Sequence, residues 1–278
     1  MRFVWQLLAV AAVAMVGGQA TMAADGKPWI QLAIAIPSVV LSVLVYRWVV
    51  ARTERRPVTE LDREGAPAAI GRGMLIGAAL FSAVIANLFT AGHYDVDGVG
   101  SVSGAVGLLG FMAAAAVTEE LLFRGILFRF AERFIGTWIA LVLTGLLFGL
   151  SHLSNPNASL WGAIAIAIEA GGMLTAAYVA TRRLWVPIGL HFGWNFAASG
   201  IFSTEVSGND TPQGLLNSAM SGPKALTGGD FGPEGSVYSV LFCVIATIVF
   251  MSLAHRRGHV LPLRGRAGRA DTTATLPR

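Results

Sequence analysis

The sequence predicts an all-α polytopic membrane protein, a bundle of about eight transmembrane helices around a buried polar cavity. Three observations carry this. Of the 278 residues, 54% are hydrophobic and only 13% are charged, about half the ~25% charge of a soluble domain. Apolar runs near the ~20 residues that cross a bilayer recur along the chain. Barrel-type alternation is absent, so each spanning segment has to satisfy its own backbone as a helix. The net charge of +4 comes almost wholly from arginines gathered in short loops. That distribution reports membrane orientation rather than nucleic-acid binding. A single cysteine, Cys243, rules out an intrachain disulfide.

The first two apolar runs cover about 3–24 and 29–50. "MRFVWQLLAVAAVAMVGGQATMAADG" has a basic start, an apolar middle and small residues near its end. It reads either as a signal peptide or as a retained first helix, and the helix is the reading adopted. Further runs follow at about 70–91, 104–128, 135–153, 160–181, 186–203 and 236–254. Three regions result: N-terminal helices and loops over 1–103, a core over 104–203, and a loop, last helix and basic tail over 204–278. The loop 204–235 is rich in Gly, Ser, Pro and Asn, so it is expected to be irregular and mobile. The tail after 255 is basic, expected to be disordered and to lie against anionic lipid.

Arginines set the orientation. "RTERRPVTELDREG" follows the second run, Arg129 and Arg133 the fourth, Arg182 and Arg183 the sixth, and "HRRGHVLPLRGRAGR" the eighth. The alternate loops lack them: 92–104 has no Lys or Arg, and 204–235 has only Lys224. The positive-inside rule then makes the arginine-rich loops and both termini cytoplasmic, the expectation for a bacterial plasma membrane.

Charge inside the membrane costs about 2.5–3.5 kcal/mol per side chain on insertion scales. Glu119, Glu120, Arg124, His152, Glu169, His191 and Asn195 all fall within the apolar runs. Glu120 and Arg124 are four apart on one helix face and can neutralise each other. Glu119 is rotated about 100° from Glu120 and needs a partner elsewhere, or else holds a proton. The fourth and fifth runs join through a short turn near 131–136. Glu119 lies about 15 residues before its midpoint and His152 about 18 after it, so their depths differ by only ~5 Å. The pair can serve as a general base on water, although His152 also reads as a satisfied histidine at a helix end. His191 and Asn195 share one face and carry N–H donors, as an oxyanion site requires or as polar glue between helices would.

Three pieces in this order resemble the CAAX prenyl protease and bacteriocin-processing (Abi) family of intramembrane proteases. They are "EELLFR" (Glu119, Glu120, Arg124), "FGLSH" (Phe148, His152) and "HFGWN" (His191, Asn195). The likeness covers about 104–203. It implies an intramembrane endopeptidase in which Glu119 and His152 activate water and His191 and Asn195 stabilise the oxyanion. Glu120, Arg124 and Phe148 support them. It implies a peptide or membrane-protein substrate and a lipid bilayer as partners, with no nucleic acid. A prenylated C-terminal peptide is the eukaryotic precedent; a leader peptide or membrane protein suits a bacterial chain. No cofactor is expected. Zinc on Glu119, His152 and His191 is conceivable, but HExxH is absent and zinc is disfavoured. Serines in "SVSG" and "AASG" lack a matched histidine, and "GGDFG" lies in a loop. Glu169 is unassigned. Two rival readings are a catalytically silent immunity or scaffold protein and a proton-coupled transporter. The filled motif positions count against the first, and the lack of an internal repeat counts against the second.

Overall fold

Residues 2–263 are described by a computed structural model. The chain runs α1 (Arg2–Met22), α2 (Pro28–Glu54), α3 (Ala66–Thr90), β1 (Tyr94–Val99), α4 (Val102–Glu120), α5 (Arg129–Ser151), α6 (Leu160–Ile166), α7 (Thr175–Thr181), α8 (Trp185–Asn195), β2 (Leu216–Met220), α9 (Lys224–Thr227) and α10 (Val237–Arg256). Wide π-helical turns carry α4 into α5 (Leu121–Phe128) and α6 into α7 (Ala167–Leu174), and extend α8 (Phe196–Ile201). Such turns are rare and concentrate at functional sites.

Six helical stretches among the described residues are long and apolar enough to cross a membrane. One of them, Val102–Ser154, has 53 residues. Straight, it would reach about 80 Å, far beyond a ~30 Å hydrocarbon core. It does not run straight. The rings of Phe123 and Phe148 meet edge to face with centroids 4.8 Å apart, whereas a continuous helix would separate them by about 37 Å. The reversal is at Gly136, with φ 73° and ψ 168°, a region open essentially to glycine alone. This stretch is therefore two antiparallel legs. With the shorter α8 segment, all eight expected legs are helical, and the protein is a polytopic all-α membrane protein.

Serines start three of the four legs that enter from one end of the bundle; α2, after Lys27, has no side-chain cap. Ser101, Ser159 and Ser236 each accept a backbone N–H three residues on, from Gly104, Gly162 and Ser239. Each such cap is worth about 1 kcal/mol. At the same end the expectation for 204–235 needs correction. It is not irregular throughout: β2 within it pairs antiparallel with β1, Tyr94 opposite Met220. Tyr94 Oη also donates to the Phe202 carbonyl.

Small residues place α8. Gly73 and Gly77 of α3 lie against the α8 backbone at Val186–Trp194, and Gly189 and Gly193 lie against the α3 backbone at Ile70 and Met74. No side chain larger than hydrogen fits there, the small-xxx-small mode of membrane helix contact. His191 sits two residues from each α8 glycine, so the helical period turns it away from α3 and into the bundle.

The arginine end is closed by an ionic network. Arg129 donates to both Glu54 oxygens at 2.7 and 2.8 Å, and Gln6 of α1 joins Glu54 at 2.9 Å. Arg56 grips Glu60 with two bonds of 2.8 Å. Burial works to raise the Glu60 carboxyl, but Arg56 and Arg129 prevail and hold it below the usual carboxylate range. Arg182 pairs with Glu132 at 2.6 Å and also bonds the His259 carbonyl. The tail expected to be disordered after 255 is instead docked on the bundle as far as it is described, with Arg257 donating to the Ala180 carbonyl at 2.9 Å and the Leu261 amide to Thr137 Oγ1 at 2.8 Å; the part from 264 onward lies outside the described residues.

Candidate active site

Glu119 and Glu120 end α4, where the helix widens into π-type turns. Glu120 is fully buried. Its Oε1 accepts from Arg124 Nη1 at 2.7 Å and lies 3.0 Å from His191 Nδ1. Arg124, 1% exposed, spends its other donors on the Ala170 carbonyl at 2.5 Å and Thr175 Oγ1 at 3.3 Å. Its guanidinium stands 4.6 Å from the Phe148 ring centroid, within cation–π range. The expected Glu120–Arg124 pair is present, but it is not self-contained, because the same carboxylate orients His191.

Glu119 is the freer acid, its side chain 29% exposed. Its Oε2 has no hydrogen-bond partner among the described residues and lies 3.9 Å from His191 Nε2. Here the expectation of a partner on the next helix needs correction. The histidine within 4 Å of Glu119 is His191 on α8, and no hydrogen bond joins Glu119 to His152. The hairpin nevertheless brings His152 level with it. Glu119 is 17 residues before Gly136 and His152 is 16 after it, closer in depth than a turn centred on 131–136 allowed. Both border one cavity of about 200 Å³, with His191 and Asn195.

His152 ends α5 with its tautomer fixed by geometry. Its Nδ1 is 2.8 Å from the Phe148 carbonyl, which can only accept, so Nδ1 carries the proton. In the neutral ring Nε2 is then the unprotonated nitrogen. His191 is ordered the same way, Nδ1–H toward Glu120 and Nε2 toward Glu119. Asn195 is buried, and its side-chain amide makes no hydrogen bond among the described residues. Phe148 is the hub. Its ring centroid is 4.9 Å from that of His152, 6.1 Å from that of His191 and 4.8 Å from that of Phe123.

Behind the site lies a hollow of about 20 Å³, room for one water. Glu169 borders it along with His152, His191, Asn195, Ser207 and Glu234. Glu169 thus lines the cavity system without a histidine bond, and its Oε1 has no partner. Sequence reasoning missed Glu234. Its Oε1 accepts from Trp194 Nε1 at 2.9 Å, and its Oε2 accepts from the Ser207 amide at 2.6 Å and hydroxyl at 2.8 Å. The available signal was an acid inside "GPEGS", directly before the last span. A larger hollow of about 560 Å³ near Trp161 and Lys224 contains none of the motif residues.

Among the described residues, no three or more His, Cys, Asp or Glu side chains gather as a metal-holding set. A family model described as type II CAAX prenyl endopeptidase Rce1-like matches residues 100–197. That stretch holds every motif residue from Glu119 to Asn195, in agreement with the resemblance read from them. No curated protein and no solved structure matches the chain. The match supports a CAAX-type intramembrane peptidase.

Proposed function

We propose that this chain, with its Rce1-like stretch at 100–197, hydrolyses peptide bonds within the membrane by a glutamate-type mechanism. The observation that carries the reading is convergence: Glu119, His152, His191 and Asn195 come from three separate helical legs and border one cavity. Water attacks the scissile carbonyl, forming a C–O bond. Glu119 takes the water proton, with His152 Nε2 as the second acceptor bordering the same cavity. A positioned base of this kind contributes about 10²–10⁴-fold. The developing oxyanion accepts from the free amide of Asn195 and from His191 Nε2. His191 donates in its doubly protonated form, with its other proton held on Glu120. Collapse breaks the C–N bond, and the proton taken from water passes to the leaving amine.

The substrate is a membrane-embedded or membrane-associated peptide, cut in a multi-pass enzyme whose C-terminus is cytoplasmic. New protein termini in membranes of cells carrying the chain, compared with cells carrying Glu119→Gln or His152→Ala, test this. A set of cut sites that vanishes in both variants is expected. The same set surviving in Glu119→Gln would sink the mechanism.

A further inference from the structure

We infer that the site is served from the extracytoplasmic side, so that its substrates are translocated segments: exported peptides, or the outer-half portions of membrane proteins. This rests on the endopeptidase reading and names which peptides that site can receive. The argument joins three observations about the two ends of the bundle.

The first is charge. The loops 55–65, 129–136 and 181–184 and the segment after α10 form one end, tied together by Arg129–Glu54, Arg182–Glu132 and the Leu184 amide on the Glu60 carbonyl. Arginines are concentrated there. The opposite loops, 23–27, 91–101, 152–159 and 202–236, carry only Lys27 and Lys224 as cations. Lys/Arg bias of this kind fixes the arginine end in the cytoplasm.

The second is the mouth. The active-site cavity is walled by Asn155, Val206, Ser207 and Asn209, all from loops at the arginine-poor end. Asn155 Nδ2 donates to the Ser207 carbonyl at 2.7 Å, and the Asn157 amide donates to that of Gly208 at 3.0 Å. These bonds tie together the two loops that wall the cavity on that face.

The third is closure toward the cytoplasm. Below His191 the buried Arg124 fills the space between Glu120, Ala170 and Thr175. Beneath it Phe128 stacks edge to face on Tyr178, with centroids 5.9 Å apart. Tyr46 Oη then bridges Gly125 and Glu60. A path from the arginine end would have to break all three layers. Glu119 lies ten residues from Arg129 and 18 from Ser101, within the span rather than at either surface, and loops of the arginine-poor end wall the cavity it borders.

The test has two arms. In a Cys243→Ala background, single cysteines are placed at exposed Ser154, beside the mouth, and at exposed Thr59, at the arginine end. Intact cells are treated with a membrane-impermeant maleimide. Ser154→Cys is expected to label in intact cells, and Thr59→Cys only after permeabilisation. The reverse pattern overturns the inference. In the second arm, new termini that depend on Glu119 are mapped onto their source proteins. They are expected in exported segments or outer halves of spans, and sites in cytoplasmic segments overturn the inference. If no Glu119-dependent termini arise, the endopeptidase reading fails and the substrate class falls with it. The labelling still reports which face the mouth opens on.

Discussion

Arg124→Met isolates the buried ion pair. The substitution keeps much of the side-chain volume but removes the 2.7 Å bond to Glu120, the bonds to Ala170 and Thr175, and the charge above Phe148. Glu120 stays fully buried, its carboxylate now supported by His191 Nδ1 alone. Breaking a buried pair by deleting one partner costs about 3–5 kcal/mol, or roughly two to four decades in the folded-to-unfolded ratio. Glu120→Gln strands the guanidinium in the same way and is expected in the same range. Removing both charges leaves neither stranded, so the double variant should lose much less than the two singles summed. The coupling expected lies toward the top of the about 0.5–3 kcal/mol seen within one network. Equilibrium unfolding of the four proteins in mixed micelles measures it. Strictly additive losses, or an Arg124→Met loss within about 0.5 kcal/mol of zero as at an uninvolved surface site, would refute the reasoning.

Asn195→Ala removes the proposed oxyanion donor, whose side chain makes no hydrogen bond among the described residues; kcat should fall about 10²–10³-fold with KM little changed, measured on any substrate the proteomic comparison yields. Gly136→Ala forces a side chain into a backbone region closed to it, with its Cβ 2.9 Å from the Leu263 amide nitrogen. A loss of about 1–3 kcal/mol should appear as a lower unfolding midpoint. Glu60 has its folded carboxyl held down by Arg56 and Arg129, so below the ordinary value of about 4.3 the unfolded state binds more protons. That stabilisation is complete above this value and is lost as pH falls toward the depressed folded value. Glu60→Gln should flatten the acid limb of stability against pH, and an unchanged slope would count against the network. Activity should survive a zinc chelator; loss restored by added zinc would point to a metal on Glu119 and the histidines.

The helices were legible because an apolar run of bilayer length has few alternatives. The level of Glu119 with His152 was legible because a short connection forces antiparallel legs. Contacts between distant legs were not. Periodicity says which residues share a face, but not which face meets which. The Glu120–His191 bond joins residues 71 apart in sequence, through an α8 whose rotation is set by glycines lying on α3. β2 was missed for a related reason. "LNSAM" has little strand character of its own and takes its form from β1, over a hundred residues earlier. Glu234 looked like a loop acid until the loop was seen to fold back onto Trp194 and Ser207.

Gly136 makes the α4–α5 hairpin a measuring device. Glu119 and His152 are held level because each arm counts nearly the same number of residues from that fold. One residue added to a single arm would move its motif about 1.5 Å and swing it about 100° around its axis, out of step with the other. A matched insertion on the other arm would restore the level but not the facing, so the stretch between residues 120 and 151 is fixed in length on both arms, whereas the outer turns beyond Ser154 bear no such constraint from this count.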